Sequence, residues 1–167
     1  MPEGSYVRNW PEFRILPGVP EAIGQLNRAG LRVIVVSNQR GVALGLYSAA
    51  DVEQIHAEFQ KLLAEQSAHV DAFYYCPHDR NQCDCRKPLP GMFRAAQQDF
   101  PDISPDTSLM IGDSLSDVEF GLRLGMRTVF IEGDPERRKS GAEKAAGLAD
   151  RRFGSLGEAV DAILHSR

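Results

Sequence analysis

The stretch Leu31-Arg-Val-Ile-Val-Val-Ser37 decides the fold of this chain, because its β-branched residues form the short apolar run of a buried strand. Further runs of this type lie at residues 70–75, 108–112 and 127–131, with a shorter fifth at 150–153. Between the runs, apolar residues recur at helical spacing over residues 20–29, 49–67, 91–99, 117–124 and 156–164. Gly30 and Gly125 follow two of these helices, and a left-handed glycine is a common way to end a helix.

The alternation of strands and helices predicts a Rossmann-like α/β fold, in which a parallel sheet carries helices on both faces. We see no internal repeat and no linker, so residues 1–167 are predicted to form a single domain. In such sheets, ligands bind at the carboxyl ends of the strands. The residues that follow the predicted strands are therefore the candidate functional residues.

Charge and composition exclude several classes of protein. The net charge is −4, which argues against a general nucleic-acid binder. No apolar run approaches the roughly 20 residues that span a bilayer. Met-Pro-Glu-Gly-Ser at the start lacks the basic and apolar regions of a signal peptide. We expect a cytoplasmic monomer that binds neither nucleic acid nor membrane.

Polar residues follow two of the predicted strands. Ser37 and Asn38 end the first, where a hydroxyl and free backbone amides can hold a phosphate oxygen, although an ordinary polar loop explains them as well. Asp113 and Asp117 follow the third and can supply oxygen ligands to Mg²⁺. A role as a helix N-cap explains Asp117 equally well.

One loop holds all three cysteines of the chain, in the sequence Cys76-Pro-His78-Asp-Arg-Asn-Gln-Cys83-Asp-Cys85. Three thiolates and one imidazole complete the tetrahedral set of a structural zinc site, with no position left open for water. Three cysteines cannot all pair, so a disulfide is a poorer explanation. Incidental thiols on a surface loop are the other alternative.

Two cations follow this loop directly. Lys87 can offset the charge that develops when a phosphoryl group is transferred. Arg86 can hold a phosphate through two parallel hydrogen bonds, although a solvated surface arginine is as reasonable.

In this order the motifs resemble the haloacid dehalogenase superfamily of phosphohydrolases. Ser37 matches the second family motif, Lys87 the third, and Gly112-Asp113 with Asp117 the fourth. The cysteine loop and its continuation Arg-Lys-Pro-Leu-Pro-Gly-Met92 are most similar to the branch of the heptose-bisphosphate phosphatases, which also contains histidinol-phosphatases. The resemblance implies a Mg²⁺-dependent phosphatase that also contains a structural Zn²⁺. This phosphatase would remove the 7-phosphate of a heptose 1,7-bisphosphate in lipopolysaccharide heptose biosynthesis. Asp113 would be a ligand of Mg²⁺, and Asp117 would lie near the metal without binding it directly. The residues that would bind phosphate are Ser37, Asn38, Arg86 and Lys87.

Family members begin with a strand that ends in Asp-x-Asp-Gly-Thr, whose first aspartate is the nucleophile and whose second is the acid and base. These 167 residues contain no such motif, and their first aspartate, Asp51, lies in a predicted helix. We therefore expect a first central strand to be missing and these 167 residues to be inactive or nearly so. A misplaced start or a truncation explains this better than natural loss of catalysis, because the rest of the site is intact in sequence.

Two alternative functions stay open. Three features differ from many heptose enzymes. The loop is shorter, with only four residues between His78 and Cys83. Ser114 stands where those enzymes often have lysine, and Leu44 where they often have arginine. Histidinol phosphate is therefore the alternative substrate. A zinc-stabilised phosphate-binding module without catalysis is the alternative from another class. A zinc-finger-like nucleic-acid module fits poorly, because no basic helix follows the loop.

Overall fold

The computed structural model describes residues 6–134 and 139–165. Contacts divide the chain into two compact units. Among the described residues, the N-terminal unit comprises 6–83 and 160–165, and the C-terminal unit comprises 84–134 and 139–159. The prediction of a single domain stays a prediction.

The N-terminal unit contains two parallel strands, paired in register from Ile34↔Ala72 to Asn38↔Cys76. In chain order its elements are α1 (Val19–Arg28), β1 (Ile34–Asn38), α2 (Arg40–Ala43), α3 (Ala49–Glu65) and β2 (Ala72–Cys76), preceded by a 3₁₀ turn at Trp10–Glu12. Ser37 and Asn38 are thus the last two residues of β1 and lie opposite the end of β2.

Helix α3 shows why this sequence is helical and which face it buries. Ser48 caps the helix: its hydroxyl accepts from the Asp51 N–H at 3.2 Å, and the Asp51 carboxylate accepts from the Ser48 N–H at 2.7 Å. This reciprocal capping box satisfies donors that the first turn leaves without partners. Spacing of three to four residues places one apolar stripe on a single face. The buried residues of that stripe are Val52, Ile55, Phe59 and Leu63.

The C-terminal unit contains three parallel strands in the order β3-β4-β5. Its elements are α4 (Gly91–Asp99), β3 (Leu109–Gly112), α5 (Leu115–Leu124), β4 (Arg127–Ile131), α6 (Ala142–Leu148), β5 (Arg151–Phe153) and the start of α7 (Leu156–His165). Val118 of α5, Phe130 of β4 and Ala145 of α6 form its buried cluster. This packing holds α5 against β4 and α6.

The predicted α/β fold with parallel strands is confirmed, and all five predicted strands and five predicted helices are present within a few residues. Gly30 and Gly125 have φ angles of 73° and 79°, so the left-handed helix stops are confirmed. The first strand begins at Ile34 rather than Leu31. One reason is that the Val33 N–H donates to the Asp71 carboxylate at 2.7 Å instead of to a neighbouring strand.

Two short helices, α2 and α6, were not predicted. They have four and seven residues, too few to show helical periodicity in a sequence. Within the described residues, no helix has both the length and the apolar content needed to cross a membrane.

Candidate functional site

In the C-terminal unit, the turn after β3 brings Gly112 against Asp117. A Cβ on Gly112 would collide with the Asp117 side chain, so glycine is required there by this close approach. Ser114 is the N-cap of α5, and its hydroxyl donates to Asp117 Oδ2 at 2.6 Å, while its N–H donates to the same oxygen at 3.0 Å. The N-cap interpretation of Asp117 is therefore wrong by three residues, because Asp117 is the third residue of the helix and completes the capping box.

Lys87 and Asp117 form a buried ion pair. Lys87 Nζ donates to Asp117 Oδ1 at 2.6 Å, and the two side chains are only 9% and 7% exposed. Burial by itself raises the pKa of Asp117, but the charge and hydrogen bond of Lys87, together with the Ser114 hydroxyl, lower it below its ordinary value. The carboxylate is therefore ionised at neutral pH, and it holds the Lys87 ammonium in one place.

Asp113 lies at the exposed end of this turn. Its carboxylate accepts from Lys139 Nζ at 2.7 Å, and the side chains of Asp113 and Lys139 are 57% and 40% exposed. Sequence reasoning missed Lys139, because it follows β4 and nothing in its local sequence indicates a partner 26 residues away. An accessible carboxylate that already attracts a cation fits one oxygen ligand of Mg²⁺, an ion that proteins bind through one or two carboxylates with waters and phosphate.

Arg86 differs from a solvated surface arginine. Its Nη1 is buried and has no hydrogen-bond partner among the described residues. Buried hydrogen-bond donors nearly always have an acceptor. A buried guanidinium nitrogen that has no acceptor is therefore a candidate for binding an anion.

In the N-terminal unit, Ser37 belongs to a short hydrogen-bonded chain. Its hydroxyl accepts from Gln39 Nε2 at 2.8 Å, and Gln39 Oε1 accepts from the Tyr47 hydroxyl at 2.7 Å. Ser37, Gln39 and His56 line a cavity of about 190 Å³ whose other walls are apolar. Gln39 and Tyr47 were not predicted as site residues. The only sequence signal was the position of Gln39 directly after the predicted strand end.

The side chains of Cys76, His78, Cys83 and Cys85 gather in one cluster, in which the ligand atoms all lie within 4.8 Å of one another. Cys76 Sγ lies 3.4 Å from Cys83 Sγ and 3.7 Å from His78 Nδ1. A tetrahedron with Zn–S bonds of about 2.3 Å and a Zn–N bond of about 2.0–2.1 Å has edges of about 3.6–3.8 Å. None of the three cysteines forms a disulfide, so the donor set fits a four-coordinate zinc.

The structure therefore brings Lys87 and Asp117 into direct contact and places Asp113 in the same turn as Asp117. It also places Ser37 and Asn38 together at the end of β1, and it gathers the four predicted zinc ligands into one cluster. The metal and phosphate roles of all these residues stay predictions.

Comparison with known proteins gives consistent matches. Residues 84–158 match the HAD-hydrolase-like family model. The D-glycero-alpha-D-manno-heptose-1,7-bisphosphate 7-phosphatase of Mycobacterium bovis is 41% identical over 165 residues, which cover 98% of this chain and 85% of that protein. The D-glycero-beta-D-manno-heptose-1,7-bisphosphate 7-phosphatase of Pseudomonas putida is 40% identical over 135 residues, covering 80% of this chain and 77% of that one.

A solved structure matches over nearly the whole chain. It is the D,D-heptose 1,7-bisphosphate phosphatase from B. bronchiseptica, complexed with magnesium and phosphate. The TM-score is 0.84 at 28% sequence identity, and the match covers 97% of this chain and 90% of that one.

Proposed function

Since this chain belongs to the haloacid dehalogenase-like hydrolases, and within them to the family of the heptose-1,7-bisphosphate 7-phosphatases, we propose that it acts on the 7-phosphate of D-glycero-D-manno-heptose 1,7-bisphosphate. The observation that carries the proposal is the 41% identity to such an enzyme along 98% of the chain. A relative named for the alpha anomer and one named for the beta anomer are 41% and 40% identical to this chain, so both anomers are tested as substrates.

The reaction needs a nucleophile that these 167 residues do not contain, because no Asp-x-Asp-Gly-Thr sequence occurs among them. In the proposed reaction, the first aspartate of that motif forms a bond to phosphorus as the bond between phosphorus and the sugar oxygen breaks. The second aspartate gives that oxygen its proton and then takes one from the water that hydrolyses the aspartyl-phosphate. We therefore expect little phosphate release from the printed chain alone.

The chain's own residues would bind and orient the transferring group. Lys87, held by Asp117, places a fixed positive charge that stabilises the phosphoryl oxygens in the transition state. The buried Nη1 of Arg86 supports a role as a donor to a substrate oxygen. At the end of β1, the Ser37 hydroxyl and Asn38 would donate to phosphoryl oxygens. Lys87, Arg86, Ser37 and Asn38 would thus each bind a substrate oxygen.

Mg²⁺ would neutralise charge on the phosphoryl oxygens, and Asp113 would supply one of its ligands. The B. bronchiseptica enzyme was solved in complex with magnesium and phosphate. Lys139 contacts one oxygen of the Asp113 carboxylate, Oδ1, so Lys139 and the metal would share or compete for this carboxylate.

Cys76, His78, Cys83 and Cys85 would hold a structural Zn²⁺, which ties together the ten-residue loop that precedes Arg86 and Lys87. Elemental analysis should then find about one zinc per chain, and a strong chelator should lower the melting temperature. Protein that contains no zinc and is as stable after chelation as before would contradict this site.

The test of function is Mg²⁺-dependent phosphate release from heptose 1,7-bisphosphate. The 167-residue chain is compared with a version extended upstream in its gene and with the extended version in which the first motif aspartate is replaced by asparagine. Release by the extended version alone is the expected result. Faster release from histidinol phosphate than from heptose 1,7-bisphosphate would make histidinol phosphate the proposed substrate instead. The short spacing between His78 and Cys83 leaves this alternative open. Phosphate binding without release by any version would indicate a non-catalytic module.

A further inference from the structure

An ion pair joins the residue after Gln39 to the residue after His78. Arg40 Nε donates to Asp79 Oδ1 at 2.5 Å, and Arg40 Nη2 donates to Asp79 Oδ2 at 3.3 Å. The side chains are only 31% and 28% exposed. Two parallel N–H···O bonds from one guanidinium fix both the distance and the orientation of a carboxylate, which a single contact does not.

Asp79 is in turn fixed within the candidate zinc loop, residues 76–85. Its carboxylate accepts from the Arg80 N–H at 2.6 Å, and its own N–H donates to Gln82 Oε1 at 3.2 Å. Asp79 directly follows one candidate ligand, His78, and Gln82 directly precedes another, Cys83. A movement of Asp79 would therefore shift the backbone on which these two ligands are carried.

The other residue of the ion pair, Arg40, directly follows Gln39, whose side chain contacts Ser37. The Gln39 N–H donates to the carbonyl of Cys76 at 2.8 Å, and the Gln39 side chain donates to the Ser37 hydroxyl. Arg40 begins helix α2, and a Cβ at the next residue, Gly41, would collide with the ring of Tyr47. The backbone around Arg40 therefore has little room to move, and Gln39 links it to the Ser37 hydroxyl.

We propose that Arg40 is a positioning residue that holds the candidate zinc loop and the phosphate-binding end of β1 in one arrangement. This inference rests on the proposed function, because it assigns phosphate to Ser37. It predicts that the two ligands are coupled: zinc in the loop tightens phosphate binding. By thermodynamic reciprocity, phosphate then tightens zinc binding by the same factor.

The experiment measures the equilibrium competition for zinc between the purified protein and a coloured chelator, with and without saturating inorganic phosphate and Mg²⁺. In the parent protein, phosphate should raise the zinc affinity about fivefold or more. Arg40→Gln and Asp79→Asn should each lower the zinc affinity about tenfold, since partners just outside a ligand set typically change metal affinity by 10–100-fold. In both variants phosphate should no longer change the zinc affinity.

The exchanged pair Arg40→Asp with Asp79→Arg should recover part of the phosphate effect, which a general loss of folding would not allow. Lys61→Gln is the matched control, because it breaks an exposed ion pair with Glu58 in the same unit and should change neither the zinc affinity nor its dependence on phosphate. A zinc affinity that phosphate leaves unchanged in the parent, or variants that behave like the parent, would overturn the inference. Absence of heptose bisphosphate hydrolysis with the coupling intact would instead overturn the proposed substrate alone.

Discussion

Lys87 and Asp117 are 30 residues apart in the sequence, and their charged atoms lie 2.6 Å apart in a buried environment. A buried ion pair contributes little net stability, because each charge has lost its water, but removal of one partner leaves the other charge without compensation. The pair therefore fixes the position of the Lys87 side chain, which we propose as a phosphate-binding group.

Lys87→Met should lower the free energy of unfolding by about 3–5 kcal/mol, because Asp117 is then buried without a counter-charge. Asp117→Asn should have a similar effect through Lys87. Lys144→Met, which breaks an exposed pair with Glu119, should cost no more than about 1 kcal/mol. Urea unfolding of the three variants checks these values.

The combined change Lys87→Met with Asp117→Leu separates stability from activity. Two apolar side chains of similar volume should recover most of the lost stability, since buried ion pairs are often replaced in this way without cost. Phosphatase activity of the extended protein should stay absent, because the charge is gone. Recovery of activity in this double variant would show that Lys87 is needed for folding only.

Gly91→Ala should destabilise the start of α4 and speed the loss of zinc. Its Cβ would lie 2.7 Å from the carbonyl oxygen of Asp84 and 2.7 Å from the Cα of Cys85, and backbone atoms cannot turn aside as a side chain can. A cost of about 1–3 kcal/mol follows from overpacking of this kind.

The matched control is Gly147→Ala in helix α6, where nothing lies within 4 Å of the added methyl group. It should raise stability by about 0.5–1 kcal/mol, since alanine restricts the unfolded chain and favours a helix. Thermal unfolding with zinc analysis distinguishes the two variants, and equal effects at both positions would contradict the assigned crowding at Gly91.

Ser37→Ala should lower kcat/KM of the extended protein about 10–100-fold, as expected when a hydrogen bond to a charged group worth about 1.5–3 kcal/mol is lost. Ser48→Ala is the control in the same unit. It removes the cap of α3 and should cost about 0.5–2 kcal/mol of stability with no change in KM. Steady-state kinetics and thermal unfolding of both variants are compared, and unchanged kinetics in Ser37→Ala would remove Ser37 from the proposed site.

His56 should make the N-terminal unit less stable in mild acid. Its ring is stacked on Phe73 with centroids 4.4 Å apart, and burial lowers its pKa from the ordinary value of 6.5, against a smaller opposing effect of Glu53. At pH values between the lowered pKa of His56 in the folded protein and 6.5, the unfolded chain binds more protons than the folded chain. The free energy of unfolding therefore rises with pH over this range. The full contribution is present above 6.5 and is lost as the pH falls through the folded pKa.

His56→Phe keeps an aromatic ring on Phe73 and should remove this part of the pH dependence. Urea unfolding between pH 5 and pH 8 is measured in both proteins, and the titration of His56 is followed by NMR. A pH profile that is identical in the two proteins would contradict the prediction.

The fold was largely predictable because the strands are short β-branched runs and the helices carry apolar stripes, and both patterns are local. The run at residues 127–131 is a strand with these bounds, and Gly125 ends α5 as expected. Helix α2 was missed because four residues from Arg40 to Ala43 show no period. The Ser114 cap was missed because two residues of the turn, Ser114 and Asp117, are both good caps in sequence, and only the backbone geometry distinguishes them.

The sequence by itself determined the candidate zinc ligands and the residues at the strand ends, because both depend on spacing along a short piece of chain. Only the tertiary structure decided which charges meet. The contacts of Lys87 with Asp117, Lys139 with Asp113 and Arg40 with Asp79 span 30, 26 and 39 residues. No local pattern encodes such pairs, since charged side chains meet only after parallel strands and the loops that follow them have been packed side by side.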